Sequence, residues 1–374
     1  MRFTLNTKDI RSLVSVAAKI NAKPMMTYQQ CLLCQTHGNY VFFTAMNREE
    51  TMSVKLPAVV TEAGASCFYY NTFIKLLKEL DEQDITLSSD GKTFVVEYSG
   101  GRAEAASLSA DEFPKVPSVL RDGGEGVCTM TLPANSFVKL IEATLKSTNK
   151  DSIRTALTCV HVTTSEADKT ITATGSDGCE ISTVKCVCTT ITGNIDILLP
   201  YNTSLLCIAA GKNATGDVTI KTDGSVIDVL FNGALWYRST LVHAKYPDVP
   251  KIVSSFVPIA EQTVSPSELS KALAQIAPFV SEELSAATLH LKSDRLEITA
   301  YADDTDGIQS ASTFIPATMT GEGMSACFNV HRLSNIVKRL DGKTITVSGK
   351  RFGTSDVAVL SDADATVLLM AMAV

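Results

Sequence analysis

Phe3-Thr4-Leu5-Asn6-Thr7 leads into the apolar-periodic stretch Ile10–Ile20, Cys128–Leu132 leads through Pro133 and Asn135 into Phe137–Leu145, and Gln262–Val264 leads through Ser265-Pro266-Ser267 into Leu269–Ile276. Each passage reads as a strand, a cap and a helix. A second unit follows each at matching distance: Cys67-Phe68-Tyr69-Tyr70-Asn71 opens Phe73–Leu80, Leu198–Asn202 opens Leu205–Ala210, and Cys327–Asn329 opens Leu333–Leu340. Every copy then enters a Gly-marked hairpin: Ile85–Tyr98 around Asp90-Gly91, Val218–Phe231 around Asp223-Gly224, and Thr344–Leu360 around Gly349 and Gly353. Three copies of two strand–helix–hairpin halves predict six helices in a pseudo-sixfold arrangement. Repeats this long are whole domains rather than solenoid units, which divides the chain into 1–121, 127–253 and 261–374.

The chain has 374 residues, 45% of them hydrophobic, enough for a core in each domain. No apolar run approaches the roughly 18 residues of a membrane span, and the N-terminus lacks a charged-then-apolar signal segment, so a soluble, cytoplasmic protein with no membrane partner is expected. Most of the ten cysteines sit inside strand patterns, as in Thr158-Cys159-Val160 and Lys185-Cys186-Val187-Cys188, and act as small apolar residues. Cys31-Leu32-Leu33-Cys34 has zinc half-site spacing, but no second Cys-x-x-Cys follows and the five histidines form no pair at ligand spacing, so no metal is expected.

The net charge of −7 argues against a polyanionic partner until it is divided. With the helices at 8–23, 72–79, 135–150, 202–212, 267–279 and 330–340, fourteen basic and four acidic residues give them a net +10, and everything else carries −17. Moving the second boundary to include Asp81 and Glu82 lowers the helical sum to +8 without changing its sign. If these helices gather on one face, that face would hold a duplex backbone by sequence-independent phosphate contacts. With one tryptophan and 6% aromatic residues there is no ladder for stacking single strands.

Catalytic motifs are lacking, and no enzyme and no cofactor are expected. Asp303-Asp304-Thr305-Asp306-Gly307 opens like a calcium loop but has no glutamate at the required offset, so it reads as an acidic turn, as does Asp362-Ala363-Asp364. The glycines at 100–101 and 123–126 lack the Gly-Lys-Ser/Thr of a phosphate loop, and no Gly-x-Ser-x-Gly elbow is present.

Local motifs in each copy resemble one known family, the beta sliding clamp of bacterial replicative DNA polymerase. Met1-Arg2-Phe3-Thr4 is similar to its first strand, and Gly101-Arg102 leading to Leu108-Ser109-Ala110-Asp111-Glu112-Phe113-Pro114 to the end of its first domain. Thr131-Leu132-Pro133 with Leu140-Ile141-Glu142-Ala143-Thr144 resembles the opening of the second domain, Tyr246-Pro247-Asp248 its close, and Val367–Val374 the hydrophobic C-terminus. The resemblance implies an α+β DNA-clamp fold: three similar domains, each with two helices packed on antiparallel sheets, assembling as a head-to-tail homodimeric ring. Such a protein encircles duplex DNA, is placed there by a clamp loader, and tethers the replicative DNA polymerase, with repair or other polymerases docking by short linear motifs.

Three residue sets follow from that resemblance. DNA contacts would come from Lys8, Arg11, Lys19, Lys23, Lys75, Lys78, Lys139, Lys146, Lys150, Arg154, Lys212, Lys271, Arg332, Lys338 and Arg339, some of which could equally be plain solvated charges. The dimer seam would set Ala106 and Leu108 of the first domain against Phe279 and Val280 of the third, a pair that could equally be core. A partner-peptide pocket would be lined by Leu157, Ser176, Asp177, Gly178, Cys179, Ile181, Pro247, Ile252, Asn329, Val357, Leu368, Leu369, Met370 and Met372, an apolar cleft suited to Leu or Phe anchors. Two departures stand out: the family's Asp-Gly-His-Arg reads Asp177-Gly178-Cys179-Glu180, and its terminal Met-Pro-Met-Arg-Leu reads Met370-Ala371-Met372-Ala373-Val374. Losing two positive charges from the pocket rim predicts an altered peptide preference. A clamp-fold structural protein no longer loaded on DNA is the alternative, permitted by the small seam residue Ala106.

Overall fold

The strand-to-helix passages fold as the alternation of their side chains dictates. In the strand Cys128–Pro133, Met130 and Leu132 turn inward and the chain enters a helix at Ala134; in Val257–Val264, Ala260, Gln262 and Val264 turn inward before a helix opens at Pro266, which supplies a fixed φ and needs no amide partner there. The computed structural model describes residues 1–11, 18–21, 25–212, 214–304, 307–340 and 342–372. Its α-helices are α1 (7–11), α2 (Tyr70–Glu79), α3 (Ala134–Leu145), α4 (Tyr201–Gly211), α5 (Val249–Ser254), α6 (Pro266–Ile276) and α7 (Val330–Val337). Half of the expected first helix, residues 12–17, 22 and 23 with Lys23 among them, falls outside the described residues.

Three expected boundaries move. α3 ends at Leu145, where the Thr148 hydroxyl donates to the Leu145 carbonyl, rather than at 150. α6 ends at Ile276 and tightens into a 3₁₀ turn, Ala277–Phe279, because Pro278 has no amide to continue the ladder. α7 ends at Val337. The third hairpin turns at Gly353, which has φ of 59°, whereas Gly349 lies within the strand Ile345–Phe352. α5 was not expected; Asp248 caps it by accepting from the Lys251 amide at 3.1 Å, and Pro250 sits in its first turn.

The chain divides into two compact units, Met1–Glu142 with Thr163–Ile171 and Val187–His243, and Ala143–Val162 with Thr172–Cys186 and Ala244–Val374. In the first, fourteen strands make one sheet, in which Leu235–Thr240 of the second repeat pairs antiparallel with Glu50–Pro57 of the first. Phe68 and Phe94 stack with ring centroids 3.9 Å apart, and Phe43 and Phe73 meet Phe68 edge-on. The connector between the two repeats is tied down by Asp228, which is 0% exposed: its carboxylate accepts from the Leu120 amide at 2.7 Å, the Trp236 indole at 2.8 Å and the Arg238 guanidinium at 2.6 and 2.7 Å.

Six strands of a nine-stranded sheet follow the order Glu180–Val187, Ala365–Met370, Ser355–Ser361, Ile345–Phe352, Val257–Val264, Met319–Gly321, and the second unit holds a four-stranded sheet in the order Gly307–Pro316, Arg295–Asp304, Ala286–Leu291, Met324–Asn329. One apolar core joins these sheets to α6 and α7, with Leu273, Phe328, Leu333, Ile336, Leu360 and Leu369 at its centre. Asp303 and Asp304 lie in a strand that returns at Gly307, so the acidic stretch connects two paired strands. Among the described residues no group of three or more His, Cys, Asp or Glu is arranged to hold a metal, and no helix is long and apolar enough to cross a membrane.

Candidate functional site

The strand Ala365–Met370 lies between Glu180–Val187 and Ser355–Ser361, with Ile181 opposite Leu368, Leu368 opposite Val359, and Met370 opposite Val357. Direct cross-strand partners share a face. Alternation therefore sends these five residues to one side, and Val367, Leu369, Ala358 and Leu360 to the main core on the other. On the first side Val357, Val359 and Leu368 form a separate cluster with Phe256, and Ile181, Ile252, Val253 and Met370 pack half-buried against it. α5 supplies Ile252 and Val253, and Phe256 follows two residues past its end.

Five residues expected in the pocket thus come together: Ile181, Ile252, Val357, Leu368 and Met370. Leu369 does not; as Leu368's neighbour it must point the opposite way, and it is buried in the main core. Phe256, Val253 and Val359 were missed, although the capped Asp248-Val249-Pro250 start and the alternation of Val357 and Val359 were both readable. Leu157 is buried in a 3₁₀ turn, Pro247 is exposed immediately before the α5 cap, and the Met372 amide donates to the Cys327 carbonyl at 2.8 Å.

The turn Asp177–Glu180 is held by its own side chains. Ser176 Oγ donates to the Glu180 carbonyl at 2.8 Å and accepts from the Gly178 amide at 3.1 Å, and Asp177 Oδ1 accepts from the Cys179 and Glu180 amides at 2.9 and 2.7 Å. Gly178, at φ 95°, takes the position that a Cβ would strain. The Cys179 carbonyl then accepts from the Met370 amide at 2.9 Å, joining the turn to the last strand, and Cys179 itself is exposed.

Glu180 is 3% exposed, and its carboxylate is not unpaired. Arg339 Nη1, on a side chain 6% exposed, donates to Glu180 Oε1 at 2.6 Å and to Ser147 Oγ at 2.7 Å, and Ser147 donates to the same carboxylate. Arg332 Nη1 lies 2.6 Å from Asp177 Oδ2 and 3.8 Å from Glu180 Oε2. Burial raises the Asp177 pKa, but the Arg332 hydrogen bond and the two backbone amides outweigh it and hold the carboxyl below its usual range. The negative charge introduced by the departure at 180 is therefore met by two arginines, Arg332 in the first turn of α7 and Arg339 two residues past its end. Asn329 sets that helix by accepting from the His331 and Arg332 amides at 3.1 and 3.0 Å.

Arg332 and Arg339 are thereby engaged with acids rather than presented to a polyanion. Of the other expected DNA contacts, Lys8, Lys19, Lys75, Lys78, Lys139, Lys146, Lys150, Arg154, Lys212, Lys271 and Lys338 are exposed, while half-buried Arg11 donates to the Leu80 carbonyl. Lys8 stands 3.6 Å from Glu82.

At the expected seam, Ala106 is exposed on the strand Gly101–Leu108, whose residues 101–106 pair with Thr93–Tyr98. Leu108 is half-buried against the cluster of Cys31, Leu33, Met46, Cys67 and Phe113, where burial pushes the Cys31 thiol up to about 11 and Cys67 to about 12. Phe279 is partly exposed, and Val280 packs on the third repeat's core. Sequence reasoning overlooked Gly307–Pro316, an edge strand of its sheet, with Phe314 61% exposed on it and Tyr301 64% exposed on the neighbouring strand.

A threefold strand–helix–hairpin repeat on antiparallel sheets, with exposed lysines on its helices and an apolar cluster beside the last strand, defines a clamp-fold protein. Residues 1–117 match the family described as DNA polymerase III beta subunit, N-terminal domain. The beta sliding clamp of Chlamydia pneumoniae is 21% identical over 93% of this chain and 92% of its own, and that of Micrococcus luteus is 22% identical over 85% and 100%. The DNA polymerase III beta subunit of Eubacterium rectale superposes with a TM-score of 0.87 at 15% identity, and the sliding clamp of Pseudomonas aeruginosa bound to griselimycin with 0.88 at 16%, each covering 100% of both chains. Along its whole length the chain has the fold of these sliding clamps.

Proposed function

We propose that the protein is a DNA sliding clamp: it encircles duplex DNA and serves as the processivity factor that tethers the replicative polymerase and other clients through the apolar cluster of Ile181, Ile252, Val357, Leu368 and Met370. The observation that carries this reading is the clamp fold along the whole chain. Such work needs no catalytic step. It needs a cationic lining that holds phosphates loosely enough to slide, which the exposed helix lysines would supply, and a surface for short apolar peptides. Three domains, 1–121, 127–253 and 261–374, closing with a second copy head-to-tail would make the topological link. Ala106 and Leu108 would lie at the seam with Phe279, Val280 and the edge strand Gly307–Pro316.

Retention on nicked circular against linearised duplex DNA, with the cognate loader and ATP, tests this. Retention on circles, loss from linear ends and a solution mass near twice the 40.0 kDa chain are expected. Equal weak binding to both DNAs would reduce the function to nonspecific contact, and a monomer that never stays on circles would favour a structural protein of the same fold.

A further inference from the structure

Lys350 stands on the peptide-site face of the sheet. Its strand runs beside Ser355–Ser361, and Lys350 is the direct partner of Val357, a member of the apolar cluster. The neighbouring residue fixes the side: a Cβ on Gly349 would meet the Met324 sulfur at 2.4 Å, and Met324 belongs to the main core, so residue 349 faces that core and residue 350 faces away from it. Lys350 is half-exposed, and among the described residues no carboxylate lies within ion-pair distance of its ammonium. Three arginines of the same unit are paired with acids. Arg351 is held by Asp356 at 2.9 Å, Arg332 by Asp177 and Arg339 by Glu180. Glu261, on the strand paired with that of Lys350, accepts from the Ser348 hydroxyl at 3.1 Å, and Asp248 at the α5 cap accepts from the Lys251 amide.

We infer that Lys350 reads a carboxylate on the docked peptide, replacing the rim charges that Cys179 and Glu180 no longer supply. The ligand class is a short peptide whose Leu or Phe anchors bury in the cluster and whose acidic side chain lies over the Lys350 strand. This rests on the peptide-docking reading of the proposed function. An unpaired ammonium beside a desolvated apolar surface gains more from a carboxylate than it would in open water, because the anchors exclude solvent around it.

The test uses fluorescence anisotropy of the full-length chain with labelled peptides bearing Leu and Phe anchors, each non-anchor position carrying Asp in one peptide and Asn in its twin. In the wild type one Asp position should be favoured over its Asn twin by about three- to tenfold, shrinking with salt. Lys350→Met, which keeps the apolar stem, should erase that preference while leaving the Asn peptide's affinity unchanged, and Lys350→Arg should preserve it. A preference that survives in Lys350→Met, or none in the wild type, overturns the role of Lys350 and leaves the docking site standing. If no peptide binds the wild type, the docking reading fails and this inference with it.

Discussion

Glu180 shows how a single changed charge is absorbed. Read in the sequence, an acid where the family carries arginine subtracts a cation from the site; in the structure it is buried with Arg339 and Ser147 and neighboured by Arg332. Burying an ion costs several kcal/mol, and the pair returns this only when both partners are present. Glu180→Ala should therefore lower unfolding free energy by about 3–5 kcal/mol, the penalty of leaving Arg339 buried and uncompensated. Urea denaturation would measure it, and Arg339→Met added to Glu180→Ala should recover most of the loss. A Glu180→Ala chain as stable as the parent would mean the pair is solvated and slight. The composition of residues 330–340 makes the stretch basic, but only the partners found in three dimensions reveal that Arg332 and Arg339 are already committed.

Whole strands make a sharper distinction than sets of lining residues. The run Val367-Leu368-Leu369-Met370 is apolar throughout, so its sequence gives no sign of which residues turn to the site; pairing with Ile181 and Val357 decides it. Leu369→Ala should cost about 2–5 kcal/mol by opening a cavity in the main core. Leu368→Ala should instead weaken peptide binding more than it weakens folding. Thermal unfolding and peptide titration on both variants separate the two, and equal effects on both readouts would refute the assignment of faces. The elements most legible in advance were those with two coincident signals, a strand pattern and a cap, which is why all six expected helix starts fall within two residues of their observed positions. Helix ends were less legible, because Pro278 and the Thr148 back-bond end α6 and α3 by local hydrogen bonding that periodicity does not register. α5 escaped because six residues are too few to show a period.

At the scale of the molecule the question is where the cations gather, since a net charge of −7 disfavours a polyanion and Lys146, Lys150, Lys212, Lys338 and Arg339 fall just beyond the observed helices. Exposed cations cluster in sequence where α3 ends, at Lys146, Lys150 and Arg154, so this segment is the place to ask whether the helix charges work together. If they neutralise phosphates, replacing all three with alanine should reduce the slope of log affinity against log salt by about 0.9 for each phosphate left without its cation. Lys115→Ala, in the connector outside the helices, should leave the slope unchanged. Anisotropy with a short linear duplex, titrated at several salt concentrations, reads both without requiring a loader. Equal changes per cation removed in the two variants would mean that the protein responds to DNA through its total charge, and these three cations would then be an ordinary solvated face. A slope that falls only when Lys146, Lys150 and Arg154 are removed would place the duplex against the segment that follows α3, which is the kind of contact that a clamp must make weakly and repeatedly to slide.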